Sequence, residues 1–334
     1  MQLVVDSYGA FIGKTSERLV VRIRDEQPTE VPFDDIEQVM IASKGVTLST
    51  DAIRECMERG VIINLVTSTG KPYGSIVPSN LSATVATIRE QMRAYDDDRG
   101  AALARAFVTG KVKNAAAVLR YFAKHRRQSA DAHTALMEKS AAVEKILAEV
   151  DAISGDRVDG VRGVLLSIEG RAANVYWEGV QAILAPRIAF PGREHRGTAD
   201  PVNAMLNYGY GILQTQVDDA LMLSGLNCFG GYLHVDRPGK PSLTLDLMEE
   251  FRHQVVDRAV VSILTRGFSP DMADGMLTRE AGRAVADAVL ERLESLERYQ
   301  GKKHRLRSIV HSQAHRLASF LRGEGAYRPF VGSW

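Results

Sequence analysis

At Pro78 the apolar residues change their period, and that change constrains the fold more than any other feature of the chain. Ahead of it, the short runs 3–8 (LVVDSY), 10–15 (AFIGKT) and 18–24 (RLVVRIR) are rich in β-branched and aromatic residues. Residues 60–78 add two more runs, separated by Gly70 and Pro72. All of these read as strands of a small sheet. One helix is expected among them over 49–59, where Ser49, Thr50 and Asp51 precede an amphipathic stretch and Gly60 follows it. Beyond Pro78 nearly every segment repeats its apolar residues at helical spacing: 85–95, 101–123, 135–148, 161–184, 202–223, 245–264 and 281–296. The expectation is an α+β chain: a β-rich domain over 1–80, a polar link over 81–90 and a larger all-helical domain over 91–334. A length of 334 residues suits one small and one large domain.

Several function classes drop out. No apolar run approaches the ~20 residues that span a bilayer, and the first residues lack the basic-then-apolar pattern of a secretory signal. Cys56 and Cys228 are the only cysteines, too few for a disulfide framework, a four-Cys zinc site or a four-Cys iron–sulfur site. A reducing cytoplasm is the expected location. There is no P-loop and no G-x-S-x-G elbow, and Gly209-Tyr210-Gly211 lies inside a helical run, which does not suit a dinucleotide-binding turn. The net charge of +1 is uninformative, but its distribution is not. Residues 99–130 hold eight Lys and Arg and no acid, and 298–334 hold eight against Glu324 alone. Such segments suit either solvated helix faces or phosphate contacts. In the first, Lys111 and Lys113 are expected on solvent-facing positions that contact DNA.

Two Gly/Pro-rich loops, 185–200 and 228–242, interrupt the helices, and long irregular segments inside a domain are usually functional. Between and beside them lie residues with metal-binding chemistry. Glu169 borders the apolar stripe of Val161, Val164, Leu165, Ile168, Ala172 and Val175, so it needs a cation: Arg162, Arg171 or a metal. Asp246 and Glu249, three apart beside the stripe of Leu247, Phe251, Val255, Ala259 and Ile263, repel unless a cation lies between them. Acidic residues near a helix start also offset its macrodipole, which suits Asp246 better than Glu249. His234 opens the loop that leads into this helix and completes a mixed oxygen/imidazole set, which suits Mg2+ or Mn2+ better than structural zinc. His253 and His195 are competing ligands.

Three blocks, 166–177 (LSIEGRAANVYW), 200–213 (DPVNAMLNYGYGIL) and 231–252 (GYLHVDRPGKPSLTLDLMEEFR), resemble the signature blocks of the CRISPR-associated spacer-acquisition integrase, the "Cas-one" endonuclease family. The segment 60–74 and the closing 327–334 (YRPFVGSW) resemble it too, in the same order and spacing. The resemblance implies a β-sheet N-terminal domain, an all-helical catalytic domain, a homodimer and a small "Cas-two" partner dimer that joins it in integrating DNA. It places Glu169, His234 and Glu249 on the family's metal ligands, Asp246 on a neighbouring acidic position and Asn203 on the asparagine of the middle block.

The implied chemistry is phosphoryl transfer, in which a 3′-hydroxyl of incoming DNA attacks a phosphodiester of the repeat. Arg193, Arg196, Arg237 and Lys240, in the two loops, are candidates for phosphate contacts that position DNA without reading its sequence. Two rivals stay open here: a metal-dependent hydrolase of small phosphoesters, and a non-catalytic nucleic-acid scaffold.

Overall fold

The computed structural model describes residues 1–67, 69–79, 85–126, 128–194 and 200–332. The chain forms two compact units, Met1–Ser82 and Ala83–Trp334.

The first unit holds two four-stranded sheets rather than the one read from sequence. The strands are β1 (Gln2–Val5), β2 (Phe11–Thr15), β3 (Arg18–Arg22), β4 (Thr29–Pro32), β5 (Gln38–Ile41) and β6 (Thr47–Leu48), then β7 (Ile62–Val66) and β8 (Pro72–Ile76) after helix α1 (Thr50–Glu58). One sheet runs β1-β5-β7-β8, parallel except for β8; the other runs β4-β3-β2-β6. All four residues of β5 are buried, so this central strand has no polar face for an alternation reading to detect. Ile12, Leu19, Phe33, Val39, Cys56 and Ile63 form the shared core. Helix α1 starts where its cap predicts: the Ser49 hydroxyl accepts from the Ala52 amide at 3.2 Å.

The second unit opens with α2 (Val85–Arg93), inside the stretch read as the link, and continues with α3 (Asp98–Lys124), α4 (Ala130–Asp151) and α5 (Val158–Leu184). These last three pack against one another along α3, whose apolar residues Leu103, Phe107, Val118 and Phe122 are buried. Helix α6 (Pro201–Leu223) is buried on most sides and starts with an aspartate cap, Asp200 accepting from the Asn203 amide at 2.7 Å. Next come α7 (Ser242–Met248), a five-residue π-helical turn (His253–Asp257) and α8 (Arg258–Thr265). A small hairpin, β9 (Met272–Ala273) and β10 (Met276–Leu277), precedes α9 (Arg279–Glu294). A second hairpin of β11 (Leu296–Tyr299) and β12 (Lys302–Arg305) carries part of the basic C-terminal stretch, and α10 (Leu306–Leu321) follows. No helix among the described residues is long and apolar enough to cross a membrane.

The sequence predicts one continuous helix over 245–264; the structure breaks it into α7, the π turn and α8. Its apolar residues repeat every four positions, whereas an α-helix turns every 3.6. A wider turn lets Leu247, Phe251 and Val255 all stay buried despite that drift. Gly209 lies where α6 meets this turn, and a Cβ there would come 2.6 Å from Val256 Cγ1. The Gly209-Tyr210-Gly211 pattern therefore serves close packing.

The segment after α10 folds back into the helical unit. The fully buried Glu250 accepts from the Phe330 amide at 2.8 Å, from Gln313 Nε2 at 2.7 Å and from the Tyr327 hydroxyl. Phe330 stacks on Phe251 with ring centroids 5.2 Å apart, and the Gly332 amide donates to Asn114 Oδ1.

Candidate active site

Glu169 comes from the middle of α5, Glu249 from the end of α7, and His234 from the loop between α6 and α7. The fold brings them to one place. His234 Nε2 stands 3.9 Å from Glu249 Oε1, and both glutamates contact a single cation, the ammonium of Lys111 on α3. Lys111 donates to Glu169 Oε1 and lies 2.7 Å from Glu249 Oε2. Its placement corrects the sequence reading. Lys111 is not presented to solvent with Lys113; its side chain is 15% exposed and points into the carboxylate pair, while Lys113 is exposed. The pattern carried the signal. Phe107, Val108, Ala115 and Val118 lie one or two turns from Lys111 on the same face, and all are buried.

Glu169 is thus satisfied by Lys111, and neither arginine considered from sequence reaches it. Arg171 pairs with Glu149 at 2.6 Å, and Arg162 with Asp159 at 2.6 Å. Glu249 also faces Arg252, whose Nε lies 3.1 Å from Oε1. Burial disfavours the charge on Glu249, but Arg252, Lys111 and His234 outweigh it and hold its carboxyl down at about 2. Burial likewise opposes charge on Lys111, yet Glu249 and Glu169 hold its ammonium above the ordinary lysine value.

Asp246 does a different job. Fully buried, it accepts the main-chain amides of Tyr232 (2.6 Å), Leu233 (3.0 Å) and His234 (2.8 Å), and the His234 ring at Nδ1 (2.7 Å). A carboxylate at that position makes Nδ1 the protonated nitrogen and leaves the Nε2 lone pair turned toward Glu249. The loop can lie this close only because residue 231 is glycine: a Cβ there would come 2.7 Å from the Ser242 carbonyl carbon.

The donor set suits a hard divalent cation: two carboxylates and one imidazole nitrogen, with no thiolate. Glu249 Oε2 is buried without a hydrogen bond, because the Lys111 ammonium touches it off the hydrogen-bonding directions. Among the described residues, no three His, Cys, Asp or Glu side chains stand close enough as placed to hold an ion together. The Lys111 ammonium lies in the gap between the two glutamates.

Of the other expected residues, Asn203 is fully buried, donates to the Gly192 carbonyl at 2.8 Å and accepts from Arg193 Nη1 at 2.9 Å. Arg237 is exposed, and Lys240 reaches the Val235 carbonyl at 3.4 Å. Arg196 and His195 lie outside the described residues. His253 does not join Glu249: it bonds Asp257 at 2.6 Å inside the π turn, where Tyr176 and Tyr210 donate to the same carboxylate. The sequence reading missed Arg252, Tyr210 and Asp257 as a group, because nothing in their spacing announces a π turn. A cavity of about 940 Å3 elsewhere in this unit is lined by none of these residues. Two of its arginines, Arg126 and Arg266, donate to main-chain carbonyls at helix ends.

The family model described as "CRISPR associated protein Cas1" matches residues 3–291. The chain belongs to the Cas1 family. It is 35% identical to the CRISPR-associated endonuclease Cas1 1 of Archaeoglobus fulgidus, with 100% of each chain covered. Among solved structures, a casposase bound to integration product matches with a TM-score of 0.81 at 23% identity, over 99% of this chain and 93% of that one. A Cas6-RT-Cas1–Cas2 complex matches with a TM-score of 0.77 at 20% identity, over 99% of this chain and 36% of that one. The Cas1 architecture, small β-rich unit then helical unit, is the one found here.

Proposed function

We propose that this chain is a divalent-metal-dependent DNA endonuclease and integrase that inserts spacer DNA into CRISPR arrays by transesterification. The observation that carries this reading is that Glu169 and Glu249, from separate segments, share one cation, with His234 Nε2 3.9 Å from Glu249 Oε1. Glu169, His234 and Glu249 would hold Mg2+ or Mn2+, which supplies positive charge at the scissile phosphate. The 3′-hydroxyl of the incoming strand forms the new P–O bond while the P–O bond to the repeat's 3′-oxygen breaks, and that oxygen leaves as the new 3′-hydroxyl. The protein's own part is placement. Asp246 fixes the His234 ring, and Arg252 offsets charge beside Glu249.

The likeness to a casposase bound to integration product and to a Cas6-RT-Cas1–Cas2 complex supports DNA and a Cas2-type protein as partners, and the first unit, whose two open sheets have unpaired edge strands, is the surface proposed for homodimer contact. Free thiols at Cys56 and Cys228 fit action in the cytoplasm. The test is strand transfer of a labelled DNA fragment into a plasmid bearing the cognate repeat, with Mn2+ and with EDTA. Glu169→Ala, His234→Ala and Glu249→Ala should each abolish products while circular dichroism stays that of the parent. Full product yield in EDTA, or in any of the three variants, would sink the reading.

A further inference from the structure

Tyr210 on α6 carries a guanidinium from each of two different segments. The Arg193 guanidinium carbon lies 5.2 Å from its ring centroid and that of Arg252 lies 5.0 Å from it. The ring cannot turn away, because its hydroxyl donates to the buried Asp257. Two cations drawn to one aromatic ring also repel each other, and an anion that contacts both offsets that repulsion.

The two arginines differ in their partners: Arg252 is paired with Glu249, and Arg193 is held by neutral acceptors. Arg193 donates to Asn203 Oδ1 at 2.9 Å, to Asn207 Oδ1 at 2.6 Å and to the Glu194 carbonyl. All three acceptors are neutral, and among the described residues no carboxylate pairs with it. Asn203 is held in turn by the Gly192 carbonyl and by its place in the first turn of α6. Amides thus fix the direction of the guanidinium and leave its charge unspent. Arg252 pairs with Glu249 through Nε at 3.1 Å without forming a hydrogen bond there, and no hydrogen bond from its terminal nitrogens is found among the described residues. Its side chain is 17% exposed.

We propose that Arg193 and Arg252, mounted on Tyr210, form a two-guanidinium cradle that grips a phosphate group beside Glu249, with Asn203 and Asn207 as positioning residues for Arg193. The ligand class is a phosphate or phosphodiester, for which the planar donor fork of arginine is matched in shape and charge. This rests on the proposed DNA chemistry for its substrate, since a phosphodiester held there lies next to the glutamate of the metal set. The π turn has a role in it: it separates Arg252 from Asp257, so that one short segment supplies both a cradle arginine and the anchor of the ring.

The experiment uses the full chain: binding is measured in EDTA, so that no metal contributes, with two probes, inorganic phosphate and a fluorescently labelled single-stranded oligonucleotide, and strand transfer is measured separately in Mn2+. Binding of both is measured across a salt series for the parent, Arg193→Gln, Arg193→Lys, Asn207→Ala and Arg252→Gln. Each lost phosphate contact lowers the log–log salt slope by about 0.7 on single strands. Arg193→Gln is expected to lower the slope by that amount and weaken oligonucleotide binding about tenfold; Asn207→Ala, which frees the guanidinium without removing its charge, keeps the slope and weakens binding. Arg193→Lys restores the slope but not strand-transfer kcat, because the fork is gone. Phosphate binding lost with Arg193→Gln while the parent shows no strand transfer would uphold the cradle and overturn the integrase reading. Strand transfer and salt slope at parental values in folded Arg193→Gln would overturn the cradle and leave the integrase reading standing. Should Arg252→Gln fail to fold, Arg193 and Asn207 alone decide the matter.

Discussion

Replacing Lys111 with methionine removes the ammonium and keeps the volume of the side chain. Glu169 and Glu249 then face each other with side chains only 21% and 4% exposed. Deleting one partner of a buried ion pair costs about 3–5 kcal/mol. The outward opening at Glu169 and the remaining Arg252 contact put this case at the lower end, about 3 kcal/mol. For a unit of this size that lowers the thermal midpoint by roughly 6–12 °C. On the proposed metal set a divalent ion would replace the missing charge: Mn2+ at a hundred times its Kd would return about 2.7 kcal/mol, nearly the whole loss. In the parent the same ion must displace the ammonium first, so Lys111→Met should bind Mn2+ more tightly than the parent does. The assay is thermal unfolding by far-ultraviolet circular dichroism, in EDTA and over a Mn2+ titration. Equal midpoints for parent and variant in EDTA, or equal upward shifts with Mn2+, would refute the idea that lysine and metal share one position.

Three further outcomes follow from the geometry. Asp246→Asn sets an amide nitrogen against main-chain N–H groups and loosens the His234 ring, so strand transfer should fall about 10–100-fold with an unchanged fold; parental rates would show that His234 needs no such support. Lys113→Ala, on the exposed side of α3, should lower the salt slope of duplex binding by about 0.9, and an unchanged slope would move the DNA path off this helix. Burial, opposed by the Thr244 hydrogen bond, pushes the Asp218 carboxyl up from 3.8 to about 6. The folded state therefore holds its proton longer than the unfolded state does, so stability falls as pH rises between those values. Asp218→Asn should flatten that part of the stability–pH curve, and a slope identical to the parent's would assign it to another group.

The division at Pro78 and the helix cap at Ser49 were legible because each depends on periodicity or on local chemistry, whereas the meeting of Glu169 with Glu249, on separate segments, was legible only through the resemblance of their blocks to the family's. Lys111 was half legible. Its helical position marks it as buried, but a lysine in a basic run reads as surface until its partners, 58 residues away in the case of Glu169, are known. The π turn resisted because a repeat of four is compatible with an ordinary helix over the two turns that a sequence window averages. Strand β5 and the hairpin β11–β12 resisted for opposite reasons: one is buried on both faces, and the other, in β12, is exposed at all four residues. Neither shows the alternation that marks a half-buried strand.

The return of residues 327–332 into the core has a consequence for the order in which the molecule is made. Glu249 and Glu250 leave the ribosome well before Tyr327 and Phe330, the residues that seal Glu250, which follow 77 and 80 positions later. A nascent chain that already carries Glu169, His234 and Glu249 still has an unsealed carboxylate next to the last of them. Glu250, the neighbour of one proposed ligand, is therefore sealed by a peptide that supplies none of them.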